Sequence, residues 1–152
     1  MDVTLRDPRP GEAGELTELI LRSKAYWGYD QAFMEMVRPE LALAPDDARL
    51  ARTVVAELDG RTAGVLTLGG EPPECEVDLL FVDPWAIGAG VGRVLFDHAA
   101  DIARAAGYER LRIDADPQAE AFYLHLGAVR VGEAVSPSSG RSLPMLHYLL
   151  SQ

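Results

Sequence analysis

The stretch Val82-Asp83-Pro84-Trp85-Ala86-Ile87-Gly88-Ala89-Gly90-Val91-Gly92-Arg93 is the part of the chain best suited to chemistry. An apolar strand runs into a turn with glycine at 88, 90 and 92, and a helical pattern follows. Glycines remove β-carbons where a ligand approaches the backbone. The amides of a first helical turn have no intrahelical acceptor, and the helix dipole favours negative charge beside them. Together these features suit a phosphate or pyrophosphate. Three phosphate motifs compete. A P-loop needs Gly, four residues and then Gly-Lys-Ser/Thr, a string that does not occur. The dinucleotide fingerprint needs glycine at 93, which is Arg, and usually opens a first βαβ unit. A pantetheine–pyrophosphate cradle is the third. A tight glycine turn without a ligand is the plain structural alternative.

Two carboxylates, Glu76 and Asp78, stand two residues apart on the strand before this turn and so share a face. Carboxylates on a central strand are costly unless paired, solvated or functional. A face open to solvent would account for them equally. His98, His125 and His147 show no metal-ligand spacing, and no metal site is expected. Cys75 has no nearby histidine in sequence and reads as a small buried residue. Ser138 and Ser139 lie in a turn without the context of a nucleophile elbow.

The elements that would position these groups follow from period and punctuation. Residues 3–6 read as a first strand. Residues 12–25 carry Leu16, Leu19, Ile20 and Ser23 at helical spacing. Tyr26, Trp27 and Tyr29 with Gly28 break that helix, and a short second one over 31–37 stops before Pro39. Strands at 52–58 and 62–68 flank Asp59-Gly60, a strong hairpin signal. Residues 76–82 alternate Val77, Leu79 and Phe81 against Glu76, Asp78, Leu80 and Val82. Val91, Val94, Leu95, His98 and Ile102 mark a long helix closed by Gly107. Residues 111–114 form a strand, so strand, helix and strand imply a parallel crossover. Asp116-Pro117 resembles an N-cap and N1 pair opening a helix with Ala119, Phe122, Tyr123 and Leu126 on its stripe. Strands at 128–135 and 143–150 flank a serine-rich turn. The fold class is α/β (α+β), with a sheet of mixed directions.

Composition narrows the function classes. The 152 residues suit one domain, 1–152, on the usual prior of ~100–200 residues. With 14 basic and 24 acidic residues the net charge is −10, which disfavours phosphate-tracking nucleic-acid binding and charge-driven attachment to anionic membranes. No apolar run approaches the ~20 residues of a membrane span. The opening Met1-Asp2-Val3-Thr4-Leu5-Arg6 lacks the basic-then-apolar order of a secretory signal. One cysteine permits no internal disulfide and fits a reducing compartment, so a cytoplasmic protein is expected.

Two segments together resemble a known family. The string Val-x-Pro-x-x-x-Gly-x-Gly-x-Gly-Arg, after an acidic-then-apolar strand, resembles the coenzyme A-binding motif of the GNAT superfamily of N-acetyltransferases. The run Asp116-Pro117-Gln118-Ala119-Glu120-Ala121-Phe122-Tyr123-Leu124-His125-Leu126-Gly127-Ala128 resembles that family's Asn-x-x-Ala-x-x-Phe-Tyr-x-x-x-Gly-Phe segment. The element order along the chain fits as well. The resemblance implies a GNAT fold: a mixed sheet of about seven strands, its central parallel strands splayed, flanked by about four helices. It implies acetyl-CoA in the gap and direct acetyl transfer to a primary amine, borne by a small molecule or a peptide.

The same resemblance assigns roles. Leu80, Phe81 and Val82 would offer backbone groups to the pantetheine arm. The amides of Ile87, Gly88, Ala89, Gly90, Val91 and Gly92 would hold the pyrophosphate, with Arg93 adding charge. Asp116, Ala119 and Phe122 would also line the cofactor. Tyr123 would donate a proton to the leaving thiolate. Glu76, or Asp78, would serve as base. Tyr26, Trp27 and Tyr29 would face the acceptor. The family usually carries Arg or Gln at the position of Ile87 and often a basic residue at that of Ala89, so this cradle has no cation before Arg93. A non-catalytic acyl-CoA-binding or regulatory module of the same fold is the alternative, and a homodimer is left open.

Overall fold

The computed structural model describes residues 2–150; Met1, in the opening considered above, and Ser151 and Gln152, at the end of the expected 1–152 domain, lie outside the described residues. Seven strands form one sheet in the order β1-β2-β3-β4-β5-β7-β6. They are β1 (Val3–Arg6), β2 (Thr53–Leu58), β3 (Arg61–Gly69), β4 (Glu74–Val82), β5 (Arg110–Asp114), β6 (Val129–Val135) and β7 (Ser142–Leu149). All neighbours are antiparallel except β4 and β5. Four helices complete the fold: α1 (Ala13–Ala25), α2 (Gln31–Leu41), α3 (Val91–Ala105) and α4 (Glu120–His125). No helix among the described residues is long and apolar enough to cross a membrane.

The sheet separates two cores. On one face α1 and α2 bury Leu16, Leu19, Ile20, Val37 and Leu41 against Val55, Val65 and Leu79. On the other, α3 and α4 bury Leu95, Phe96, Ala99 and Tyr123 against Ala63, Leu66, Val77, Leu111 and Leu146. The start of α3 lies close on β3: a β-carbon on Gly64 would come within 2.9 Å of both Leu95 and Val91. That contact seats the N-terminus of α3 at the end of the sheet where β4 finishes.

Several local expectations hold. Asp59 (φ 53°) and Gly60 (φ 83°) make a two-residue hairpin turn with Leu58 opposite Arg61. Gly107 closes α3 in a Schellman arrangement, with Tyr108 N–H donating to Ala103 and Gly107 N–H to Arg104.

Others are corrected. α2 does not stop before Pro39 but runs through it to Leu41. Pro39 lies on the exposed side, while Val37 and Leu41, one turn apart, are buried, and their burial outweighs the lost backbone bond. In α1 the buried stripe takes in Lys24 rather than Ser23. In α3 it runs Val91, Leu95, Phe96, Ala99, Ala100 and Ala103, leaving Ile102 exposed. Small alanines let that helix approach the sheet, so the methyl-lined side is the inner one. α4 starts at Glu120 rather than at Asp116-Pro117, because residues 116–119 form a separate turn in which Asp116 accepts from Gln118 N–H and Ala119 N–H.

The alternation expected in β4 also breaks. Thr67 pairs with Leu79 but Leu68 pairs with Val77, so Asp78 is an extra residue in a bulge. Cys75 and Val77 therefore share the α3 face with Leu80 and Val82, whereas Leu79 and Phe81 face α1 and α2.

Candidate active site

β4 and β5 pair only over Glu74–Arg110, Cys75–Leu111 and Glu76–Arg112. From Val77 onward β4 keeps β3 on one side and has no paired strand on the other, so its backbone groups face an opening between two diverging parallel strands. Leu80 and Val82 turn their side chains to the α3 face of this opening and Phe81 to the α1 face.

The turn at 83–90 stands over the opening. Asp83 N–H donates to Ala63, and the Asp83 carboxylate is held at 2.7 Å by Arg22 at the end of α1. A single 3-10 turn follows over Pro84–Ala86. Gly88 (φ 89°) and Gly90 (φ 85°) are left-handed, a conformation other residues adopt only with strain. Gly92 serves space instead, for a β-carbon there would stand 3.1 Å from the Phe122 ring and 3.6 Å from Val82. Phe122 thus closes α4 onto the start of α3.

Of the amides expected to face an anion, two are already spent. Ile87 N–H donates to Pro84 and Ala89 N–H to Ala86, each at 3.3 Å, as part of the turn itself. Those of Gly88, Gly90, Val91, Gly92 and Arg93 find no acceptor among the described residues. Arg93 is exposed on the first turn of α3, with only a long contact of 3.9 Å to Asp97. The Ile87 side chain is 52% exposed beside the free amides. The cradle is a cluster of bare amides at a helix N-terminus, without a side-chain cation in its turn.

Tyr123 is buried under α4, its ring 5.0 Å from Phe122 and 6.0 Å from Phe96. Its hydroxyl makes no hydrogen bond among the described residues, and burial pushes the phenol above its ordinary range. It packs in the same core as Leu80, Val82 and Ala119.

Asp78 lies across Gly69, where a β-carbon would overlap its carboxylate. Asp78 is exposed at the bulge, yet partial desolvation against β3 raises its carboxyl, and the charge of Glu76 raises it further against the pull of Arg49 and Arg52. Glu76 is half-buried.

The three aromatics of the α1–α2 connection part ways. Tyr26 and Trp27 are exposed and meet edge-on at 6.0 Å. Tyr29 is tied down: its ring stacks on Phe33 at 4.2 Å, and its hydroxyl donates to Asp116 at 2.8 Å. Asp116 in turn accepts from Lys24 at 2.7 Å and from Gln118 N–H at 2.8 Å. Its carboxylate is therefore occupied by donors from α1, from the α1–α2 connection and from its own turn.

A model of the acetyltransferase (GNAT) family matches residues 15–128, about three-quarters of the chain. The chain belongs to the GNAT acetyltransferase family. Solved structures agree. A GCN5-related N-acetyltransferase from Rhodopseudomonas palustris is 25% identical over 95% of this chain and 92% of its own, with a TM-score of 0.75. The PaiA N-acetyltransferase from Thermoplasma acidophilum, solved with coenzyme A, is 16% identical over 98% of this chain and 99% of its own, with a TM-score of 0.81. YncA from Salmonella typhimurium, solved with its cofactor acetyl-CoA, is 19% identical over 100% of this chain and 96% of its own, with a TM-score of 0.68. The last two likenesses are of fold. No curated protein matches the chain in sequence. The seven-stranded mixed sheet with four helices is thus the GNAT fold that the two motifs imply.

Proposed function

We propose that this GNAT protein moves the acetyl group of acetyl-CoA directly to the nitrogen of a primary amine, borne by a small molecule or a peptide. The observation that carries the reading is the row of free amides at 88 and 90–93, standing over the opening between β4 and β5. A diphosphate on those amides would direct the pantetheine arm down the unpaired edge of Leu80, Phe81 and Val82. Phe122 and Ala119 would cover it from α4. Each amide contact and the dipole contribute on the order of 1 kcal/mol, so several are needed in place of a cation.

In the transfer, the neutral amine nitrogen attacks the thioester carbon. The carbon–sulfur bond breaks, coenzyme A leaves as thiolate, and the nitrogen gives its remaining extra proton to solvent water. A lysine-type amine has a reference pKa of ~10.4, so it must first lose a proton. Asp78 and Glu76 are the receiving groups, directly or through water. The raised Asp78 carboxyl is a stronger base than an ordinary aspartate. Tyr123 stabilises the thiolate. Because burial lifts its phenol further above a thiol near ~8.5, its part is to donate a hydrogen bond to the forming thiolate rather than to surrender the proton early.

The single sheet through β1 to β7 among the described residues supports reading the chain as one domain, 1–152. A cytoplasmic setting fits the buried free thiol of Cys75.

The absence of a cation at Ile87 and Ala89 favours a second reading, an acyl-CoA-binding module without turnover. Thiol release from acetyl-CoA, measured across free amino acids, polyamines and short peptides, separates the two. Turnover on any amine establishes the enzyme. Saturable acetyl-CoA binding with no thiol release leaves the module.

A further inference from the structure

We propose that Asp116 is a positioning residue for the acceptor, not for the cofactor: its carboxylate bolts the α1–α2 connection and the β6–β7 turn into one wall of the acceptor cleft. The proposal rests on the transferase reading above.

Asp116 sits in the turn after β5, at the end where β5 has parted from β4. Its two oxygens take donors from four places. Lys24 Nζ donates at 2.7 Å from the last turn of α1. The Tyr29 hydroxyl donates from the α1–α2 connection, 2.8 Å and 3.0 Å from the two oxygens. Gln118 N–H donates within the turn, and Arg141 Nη2 approaches to 3.6 Å from the β6–β7 turn. Burial by itself would raise the Asp116 carboxyl. Lys24, Gln118 and Tyr29 together hold it below the ordinary range, so it is charged at neutral pH. The Lys24 and Asp116 side chains are only 11% and 10% exposed, so water screens this pair weakly.

The β6–β7 turn is drawn in by the same cluster. Arg141 Nη1 donates to the Tyr29 hydroxyl at 2.8 Å, and its guanidinium lies over the rings of Tyr29 and Phe33 at 5.1 Å and 4.9 Å. Arg141 Nε is the one buried side-chain polar atom without a partner among the described residues. An orphaned donor is a cost the fold accepts to keep the guanidinium over those rings. Glu40 of α2 adds a second tie, accepting from Ser136 and twice from Ser138.

The geometry has one consequence for the acceptor. Residues 24 and 29 are both bonded to a single carboxylate, so the four residues between them are held at each end. Tyr26 and Trp27 stand inside that span, with 58% and 41% of their surface exposed. The backbone that carries their rings is anchored at both ends while the rings stay exposed, as an aromatic wall for an amine requires. Asp116 reaches the substrate only through them.

The test is Asp116→Asn, with Tyr29→Phe as a second variant that keeps the ring stacking and deletes the hydroxyl's bonds to Asp116 and Arg141. Three quantities are measured: acetyl-CoA affinity by calorimetry, KM and kcat for the best amine of the panel, and amide hydrogen exchange. For Asp116→Asn the expected result is a KM for the amine at least tenfold higher, with acetyl-CoA affinity within twofold of wild type. Exchange rises together at residues 24–30 and 136–141 and stays unchanged in α3. Tyr29→Phe moves the same quantities in the same direction by less, and carries the test if Asp116→Asn does not fold. A loss of acetyl-CoA affinity with an unchanged amine KM overturns the proposal and returns Asp116 to the cofactor. Exchange that rises in only one segment also overturns it. Wild-type protein that binds no acetyl-CoA overturns the transferase reading itself, and that result is visible before any variant is made.

Discussion

The Phe122 ring stands 3.1 Å from the point where a β-carbon on Gly92 would lie. The contact joins the first turn of α3 to α4, and with it the free amides to the helix that carries Tyr123. Gly92→Ala forces the ring aside by a few tenths of an ångström, in a place where the pantetheine arm is expected to run. Acetyl-CoA affinity should fall several-fold while the melting temperature changes by no more than a few degrees. Calorimetric titration checks this, and unchanged affinity would separate the Phe122 contact from cofactor binding.

Tyr123→Phe separates activity from stability. The hydroxyl has no protein partner among the described residues, so removing it breaks no bond of the fold and leaves the ring packing in place. The variant should melt at or above the wild-type temperature, yet lose ~10²–10⁴ in turnover, the range for a positioned acid–base group. The linkage has a definite sign. A phenol raised in the folded state keeps its proton where the unfolded chain loses it, so stability falls as pH rises above ~10. That alkaline decline should be shallower in Tyr123→Phe. Turnover within twofold of wild type removes Tyr123 from the mechanism.

Glu76 and Asp78 can be told apart by pH. The Glu76 charge helps to hold the Asp78 carboxyl above its ordinary value. Glu76→Gln should therefore lower it and move the acid limb of kcat/KM to lower pH. Asp78→Asn should abolish that limb if Asp78 is the base. An acid limb unmoved by Glu76→Gln and still present in Asp78→Asn would assign the proton to another group.

Much of this arrangement was open to sequence reasoning because its signals are local. The glycine turn, the Asp59-Gly60 hairpin and the Gly107 cap each depend on neighbours within a few residues. The parts that were not legible depend on distant partners. Nothing near Asp78 announces the bulge, which exists because Gly69 on the next strand leaves room for its carboxylate. Asp116 reads locally as a helix N-cap, but Lys24 and Tyr29, some ninety residues earlier in the chain, claim its oxygens. Ile87 and Ala89 read as members of an amide cradle, but the turn that forms the cradle uses their N–H groups itself. The glycine spacing marks the turn, whereas its free donors are told from its spent ones only by the backbone path.

Ile87→Arg tests the missing cation. The side chain is half exposed beside the free amides, so a guanidinium there can reach an anion without disturbing the core. Affinity for acetyl-CoA should rise by about tenfold, or ~1.4 kcal/mol, at low salt. The gain should shrink as ionic strength rises, because an exposed charge is screened. No gain at low salt would show that the phosphates do not lie beside residue 87.

A last prediction concerns the other end of the sheet. Arg6 of β1 grips Glu12 with two hydrogen bonds, at 2.9 Å and 2.6 Å, and Glu57 of β2 with a third at 2.6 Å. Glu12 also accepts from Arg9 N–H just ahead of α1, and its side chain is 5% exposed. The Arg6 guanidinium is the main cause that holds the Glu12 carboxyl below its ordinary range. A carboxyl lowered by folding stabilises the protein above its unfolded pKa of ~4.3, and that contribution is lost as pH falls through the folded value. Glu12→Gln keeps one acceptor oxygen but loses the charge, and should cost about 2 kcal/mol at pH 7. The gap between variant and wild type should narrow as pH drops below ~4, because the wild-type carboxyl is then protonated as well. Urea melts at pH 7 and pH 3 measure both quantities. A gap that stays constant between the two would mean that the ion pair contributes through its shape and not its charge.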